Sequence, residues 1–343
     1  MKQMVIVRNG PPAKGLRLEE APAPVPGPGQ LLLRVQAAGV NFADTLARRG
    51  LYPDAPPLPY VPGYEAAGVV DALGPPAPGA AAPPFRVGDP VLALLLRGGY
   101  AEQVVAPVGQ VYARPEGMDA VTAAALPVQA LTAYYALFET GTVRPGDRVL
   151  IHAAAGGVGL LAVQMALHAG ATVFGTCGSA DKVAFLRQAG VHHPIDYRAA
   201  DYVAEVRRQG GGLSLVLDSL GGREIGRGMS LLGPGGRLAS YGYAGQTGSW
   251  PAMILGFISM KMLRTAFLLR DSQGFFGINL IQLARDTERM KPRMAAVLDF
   301  WRAGVLQPHV GVRFPLAAAA EAHAALEGRG TRGKVVLTMG DEG

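Results

Sequence analysis

The sequence predicts an α/β protein built from an antiparallel β part and a doubly wound parallel sheet with helices on both faces. Three observations predict it. Short β-like runs separated by Pro- and Gly-rich turns fill the first third of the chain. From Arg148 onward, strand-like and helix-like pieces alternate, the order that builds a parallel sheet. Between the first of those strands and its helix lies a glycine turn, Gly156-Gly157-Val158-Gly159.

The early β-like runs are residues 4–8, 31–37, 66–73, 90–95 and 100–106. Two Pro-rich stretches, residues 21–29 (APAPVPGPG) and 74–84 (GPPAPGAAAPP), cannot sustain a hydrogen-bonded ladder and read as surface loops. Residues 122–140 form an Ala/Leu-rich helical stretch interrupted by Pro127. Strands follow at 148–152, 172–176, 191–196, 213–219 and 237–242, with helices at 158–169 and 181–189. From about Leu268 the chain returns to mixed structure and closes on a strand at 334–339, whose pairing the sequence leaves open.

With 343 residues, 49% of them hydrophobic and 17% charged, the chain can bury two ordinary cores. Its net charge of +6 is spread rather than clustered, the densest pairs being Arg48-Arg49 and Arg207-Arg208. That distribution suits an enzyme with a phosphate-bearing cofactor better than a nucleic-acid binder. The single cysteine, Cys177, excludes an internal disulfide and a multi-thiolate zinc site. The N-terminus MKQMVIVRNG reads as a strand rather than an export signal, so the expected compartment is the cytoplasm. The most apolar late stretch, residues 253–263, is too short to span a bilayer and carries Lys261.

The segment RVLIHAAAGGVGLLAVQMALHAGATVFGTCGSADK carries the chemistry. Gly156 lets the backbone approach a pyrophosphate, and Gly159 lets the helix pack closely. The helix start then offers unpaired N–H groups and a positive dipole end to the phosphates, with Gly157 and Val158 in its first turn. The first glycine of the usual G-x-G-x-x-G is Ala154, which weakens the motif. At the end of the second strand an NAD enzyme has an Asp or Glu that grips the ribose; here Cys177 stands there, followed by Gly178, Ser179 and Lys182, with Tyr197 and Arg198 one strand later. No carboxylate at that strand end repels a 2′-phosphate, and a hydroxyl, an ammonium, a phenol and a guanidinium can converge on one. The expected cofactor is NADPH.

Several segments together resemble the zinc-free quinone oxidoreductases (ζ-crystallin-like) of the medium-chain dehydrogenase/reductase superfamily. They are AAGVNFADTLARRGLYP (37–53), VPGYEAAGVV (61–70), LPVQALTAYYAL (126–137), HAAAGGVGLLAVQMA (152–166), VLDSLGG (216–222) and RGKVVL (332–337). The late segment GFFGINL, with Asn279, is similar to the vesicle amine transport protein-like branch. The resemblance implies a GroES-like catalytic domain from residues 1–122 and 267–343, a Rossmann domain at 123–266, and a homodimer. Where zinc-dependent relatives place Cys and His ligands, this chain has Asn41 and Tyr64, neither a usual zinc ligand. Its six histidines form no convincing ligand pair. Without a Lewis acid, acceptors that delocalise their own charge, quinones and enones, are expected rather than alcohols.

By the same resemblance, Asn41 and Tyr52 would hydrogen-bond an acceptor oxygen, and Gln129 and Thr132 would touch the nicotinamide end. Ser219, Tyr241 and Gly242 would line the cofactor crevice, Phe267 to Leu269 would meet the carboxamide through backbone groups, and Lys334 would join the cofactor-binding set. Each has a plainer reading: Tyr52 as a cover for the core, Thr132 as a helix residue bonding its own backbone. Asp44 and Glu65 are expected in structural ion pairs rather than as acid–base groups. Two further readings stay open. One is a reductase of enone or enoyl double bonds in a biosynthetic pathway; the other is a cofactor-binding protein that acts by binding RNA or a membrane surface.

Overall fold

The computed structural model describes residues 1–79, 81–246 and 265–340. The apolar stretch at 253–263 lies outside the described residues. The chain divides into two compact units, one made of residues 1–129, 280–302 and 308–343, the other of residues 130–279 and 303–307.

The first unit is built on a seven-stranded sheet. Its order is β14 (Val310–Pro315), β15 (Lys334–Thr338), β3 (Gln30–Val40), β4 (Glu65–Leu73), β5 (Pro90–Leu94) and β7 (Val111–Ala113), with β6 (Gln103–Pro107) also on β3. β1 (Lys2–Ile6) and β2 (Leu16–Glu20) form a separate antiparallel pair. The closing strand of the chain thus finds its partner: β15 runs antiparallel to β3, with Val335 opposite Val40 and Thr338 opposite Ala37. β3 serves two cores. Leu31, Leu33 and Val35 pack with Val70, Val91 and Val104. Ala38 and Val40 pack with Ile6, Tyr100, Leu316, Val335 and Leu337. A register irregularity against β4 falls between Val35 and Ala37, where the strand passes from one core to the other. Beyond the end of β3, Asn41 opens the helix Phe42–Arg48.

The second unit is a six-stranded, all-parallel Rossmann-type sheet. Its order is β10 (His193–Asp196), β9 (Thr172–Cys177), β8 (Arg148–Ile151), β11 (Leu213–Asp218), β12 (Leu232–Ser240) and β13 (Gly274–Gly277). Leu150, Phe174, Val216 and Leu238 from four adjacent strands fill a core with Val206, Ile225 and Met229 from two of the helices. The strand order reverses between β8 and β11, and open parallel sheets bind ligands at the carboxyl ends of strands beside such a switch. β12 begins earlier than the expected 237, because Leu232 already pairs with Leu213 and the GPGG segment bulges out, with Gly235 at a left-handed φ of 76°, before the ladder resumes at Arg237. The expected helix at 122–140 is three pieces: Ala120–Ala124, Pro127–Tyr134 and a widened π-helical turn, Tyr135–Thr140.

Candidate functional sites

Two groups of side chains carry chemistry, one in each unit. In the first unit, Asn41, Asp44, Glu65, Gln129 and Lys334 are all buried. Lys334 Nζ donates to Glu65 Oε1 at 2.6 Å and to Asn41 Oδ1 at 2.9 Å. Asn41 Nδ2 donates to Glu65 Oε1 at 3.0 Å and reaches Gly39 O at 3.4 Å, while Gln129 Nε2 donates to Asn41 Oδ1. Glu65 Oε2 accepts the backbone N–H of Val128 at 2.8 Å, in the first turn of the helix that bears Gln129. Gly39 makes room for this: a Cβ there would lie 2.3 Å from Glu65 Oε1 and 2.5 Å from Ala124 O. The ion pair expected of Glu65 is therefore present, with Lys334 as its partner.

Asp44 corrects its own expectation. Its carboxyl is held by hydrogen bonds from the N–H groups of Asn41 and Gly63 and from the Tyr100 hydroxyl, and no basic side chain bonds to it among the described residues. Those backbone donors come from the turn into helix Phe42–Arg48 and from the glycine before Tyr64, so the carboxyl ties two loops together. The chain of bonds continues from Tyr100 to His323 Nε2 at 3.3 Å, from His323 Nδ1 to Arg48, and from Arg48 to Glu327. Burial pushes the Asp44 pKa up to about 7, opposed by the Asn41 N–H, the Lys334 ammonium and the Gly63 N–H. Because the folded-state pKa lies above the ordinary 3.8, the protonated carboxyl favours folding. The contribution is complete below about pH 4, is lost as pH rises to about 7, and is flat above that. Asp44→Asn is expected to remove this slope, read as melting temperature against pH between about 4 and 8 for both proteins. Parallel curves for the two would discard the assignment.

The Asn41 amide has little left for an acceptor oxygen: its oxygen accepts from Gln129 and Lys334, and its nitrogen donates to Glu65 and reaches Gly39. Tyr52 is half-buried, packs against the second core and pairs with Tyr64, ring centroids 5.9 Å apart at 56°. Lys334 is 3% exposed, with its ammonium directed at Glu65 and Asn41. These partners do not suit zinc. An amide already in use, a phenol and a carboxylate paired with an ammonium offer no thiolate or imidazole, and the ammonium repels a cation. Among the described residues no group of three or more His, Cys, Asp or Glu side chains is placed to hold a metal ion.

In the second unit, helix Gly157–His168 starts immediately after the turn that follows β8, with Gly156 as its cap and no side chain satisfying its first N–H groups. Ala153 in that turn has a left-handed φ of 50°. The turn is pinned by His152 N–H to Leu217 O and Ala154 N–H to Thr176 O, and by His152 Nδ1 against Thr176 Oγ1 at 3.0 Å. Burial pulls the His152 pKa down, so the ring is neutral. Gly159 is where the helix start and the turn meet: a Cβ would lie 2.4 Å from Ala153 O and 2.7 Å from Ala154 Cα.

Gly178, Ser179, Lys182, Tyr197 and Arg198 come together at the carboxyl ends of the adjacent strands β9 and β10, where Asp196 lies opposite Cys177. Ser179 caps helix Ala180–Gln188 by accepting the Lys182 N–H, and the Tyr197 hydroxyl lies over Gly178, where a Cβ would come within 2.6 Å of it. One carboxylate was missed: Asp196 ends β10, and its Oδ1 takes the Arg198 N–H at 2.9 Å. Ser219, Tyr241 and Gly242 also meet. Tyr241 N–H bonds Asp218 O, and a Cβ on Gly242 would lie 2.8 Å from Ser219 O. Asp218 holds that corner by accepting from Leu220 N–H, Gly221 N–H and Ser240 Oγ. VLDSLGG gave no separate signal for this bracing role. Thr132 is buried on helix Pro127–Tyr134. Phe267 and Leu269 sit on helix Thr265–Asp271, the Leu269 side chain exposed and the Phe267 side chain outside the described residues.

Residues 27–116 match the alcohol dehydrogenase GroES-like domain family, and residues 189–337 the zinc-binding dehydrogenase family. The chain is 39% identical over 335 residues to the human synaptic vesicle membrane protein VAT-1 homolog, covering 95% of this chain and 84% of that protein. It belongs to the medium-chain dehydrogenase/reductase superfamily, in the quinone oxidoreductase/VAT-1 branch. This family member is also 36% identical over 329 residues to a 2-haloacrylate reductase from Burkholderia sp, covering 93% of each. Among solved structures it is similar to Escherichia coli quinone oxidoreductase complexed with NADPH, with a TM-score of 0.86 and 28% identity over 98% of this chain and 100% of the other. The first unit is thus the GroES-like β domain and the second the Rossmann domain of this superfamily.

Proposed function

We propose that this oxidoreductase uses NADPH to reduce a quinone or similar conjugated carbonyl without a metal ion. The observation that carries the cofactor reading is the helix start at Gly156–Gly159, whose free N–H groups follow a pinned turn at the switch point of a parallel sheet. The similarity, over nearly the whole of both chains, to a solved structure complexed with NADPH supports it. When bound, the nicotinamide supplies the hydride. The chain's own part is to hold the dinucleotide at the Gly156–Gly159 turn, and to receive the 2′-phosphate with Ser179, Lys182, Tyr197 and Arg198. The likeness to a 2-haloacrylate reductase keeps reduction of a conjugated double bond as the second reading. Both acceptors spread the incoming charge over their own π-system, which fits a donor set that does not suit zinc. A homodimer belongs to the same proposal and is read by light scattering.

Titration calorimetry with NADPH and NADH, followed by NADPH oxidation across a quinone and enone panel, tests the reading. No heat with either dinucleotide removes it; turnover of enones alone selects the second. Lys182→Ala is expected to raise KM for NADPH by about 10- to 100-fold, the worth of one charge-assisted bond, and to leave NADH nearly unchanged. Equal small effects on both dinucleotides would take Lys182 out of the phosphate pocket.

A further inference from the structure

The side-chain amides of Asn41 and Gln129 each have two chemically different ends, and the buried charges decide which way they face. Lys334 Nζ only donates and lies 2.9 Å from one terminal atom of Asn41, so that atom is the oxygen. Glu65 Oε1 only accepts and lies 3.0 Å from the other, so that atom is the nitrogen. Gln129 meets the Asn41 oxygen and must therefore turn its NH2 group toward it. Its carbonyl oxygen Oε1 is left buried with no hydrogen-bond partner, in a residue only 4% exposed. Native chains keep few such atoms, and each asks for a ligand or water that completes it. The same carboxylate that orients Asn41 also holds the Val128 N–H, so side chain and backbone at Gln129 are fixed from one point. A buried ion pair is weak evidence of stabilisation, whereas in some proteins buried polar groups are kept because they select one arrangement.

We propose that the Lys334–Glu65 pair is a positioning device: through Asn41 it locks Gln129 with its carbonyl oxygen presented as an acceptor, and the ligand group taken there is a hydroxyl or amide N–H donor. This rests on the reading of the protein as a nicotinamide-dependent reductase, whose dinucleotide carries ribose hydroxyls and a carboxamide and whose reduced acceptor gains a hydroxyl. Lys334 and Glu65 act through the amides and touch no ligand themselves.

The experiment compares four proteins: native, Gln129→Met, the pair Glu65→Gln/Lys334→Met, and the triple variant. Each is read by the Kd for NADPH and by kcat/KM for 1,4-benzoquinone. Gln129→Met and the pair variant are each expected to weaken the same constant by about tenfold, the worth of one hydrogen bond. The triple variant is expected to lose nothing further, because the charges work only through Gln129. A shift in Kd assigns the donor to the dinucleotide; a shift in kcat/KM with Kd unchanged assigns it to the acceptor. Additive losses in the triple variant overturn the proposal, as does native behaviour of either Gln129→Met or the pair variant. Gln129→Met alters neither charge, so it tests the acceptor role even if the pair variant does not fold. A cofactor-free readout separates this failure from that of the reductase reading. In 15N-edited NMR of the ligand-free protein, the Gln129 side-chain NH2 signals, assigned by their loss in Gln129→Met, are expected to shift in the pair variant. Unshifted signals overturn the orientation even in a protein that reduces nothing.

Discussion

Lys334→Met alone is expected to cost about 3–5 kcal/mol of folding stability, because it leaves the Glu65 carboxylate buried without its cation. Glu65 is fully buried and Lys334 is 3% exposed, so water cannot replace the lost partner. For a domain of this size the loss corresponds to a fall in melting temperature on the order of 10 °C. The pair variant Glu65→Gln/Lys334→Met removes both charges, keeps an acceptor for the Val128 N–H, and is expected near the native melting temperature or above it. Scanning calorimetry of the three proteins checks this. A single variant as stable as the pair variant would mean that the ammonium is not what compensates Glu65.

Gly159→Ala is expected to weaken NADPH and NADH alike by about 10- to 100-fold, since overpacking costs about 1–3 kcal/mol. The new methyl would lie 2.4 Å from Ala153 O and 2.7 Å from Ala154 Cα, both backbone atoms. No flexible side chain can yield there. The turn must move, and Ala153, already at a φ of 50°, is poorly able to absorb the shift. The even-handed loss separates this variant from Lys182→Ala, which acts on NADPH alone. Binding of both dinucleotides at native strength would show that the turn does not seat the pyrophosphate.

The Rossmann unit was largely legible because its signals are local. The strand, glycine turn and helix of 148–168 lie within one stretch, and hydrophobic periodicity marks each piece. β13, the sequence GFFG, was not: four residues bounded by glycine give too short a pattern, and their strand state comes from pairing with β12. The site in the GroES-like unit was half legible. Asn41, Gln129 and Lys334 were each singled out as ligand contacts, but the hydrogen bonds that join the three were not foreseen. That Asn41 is saturated depends on Lys334 at the far end of the chain, and spacing along a sequence carries no record of such a meeting. Asp44 misled in the same way, since its partners are backbone N–H groups and a tyrosine from separate loops. The left-handed Ala153 has no marker either, because alanine is not a residue that announces that conformation.

The antiparallel pairing of β15 with β3 has a consequence for biosynthesis. A ribosome emits β3 roughly 300 residues before its neighbour, which at about 5–20 residues per second means a wait of some tens of seconds. During that interval the flank of β3 that β15 will cover stays open to any other strand, and the carboxylate of Glu65 has no counter-charge. The nascent GroES-like half is therefore the part of this protein most exposed to holdase chaperones, and a translation product stopped short of Lys334 is expected to go to aggregates or proteases rather than to a working half-molecule.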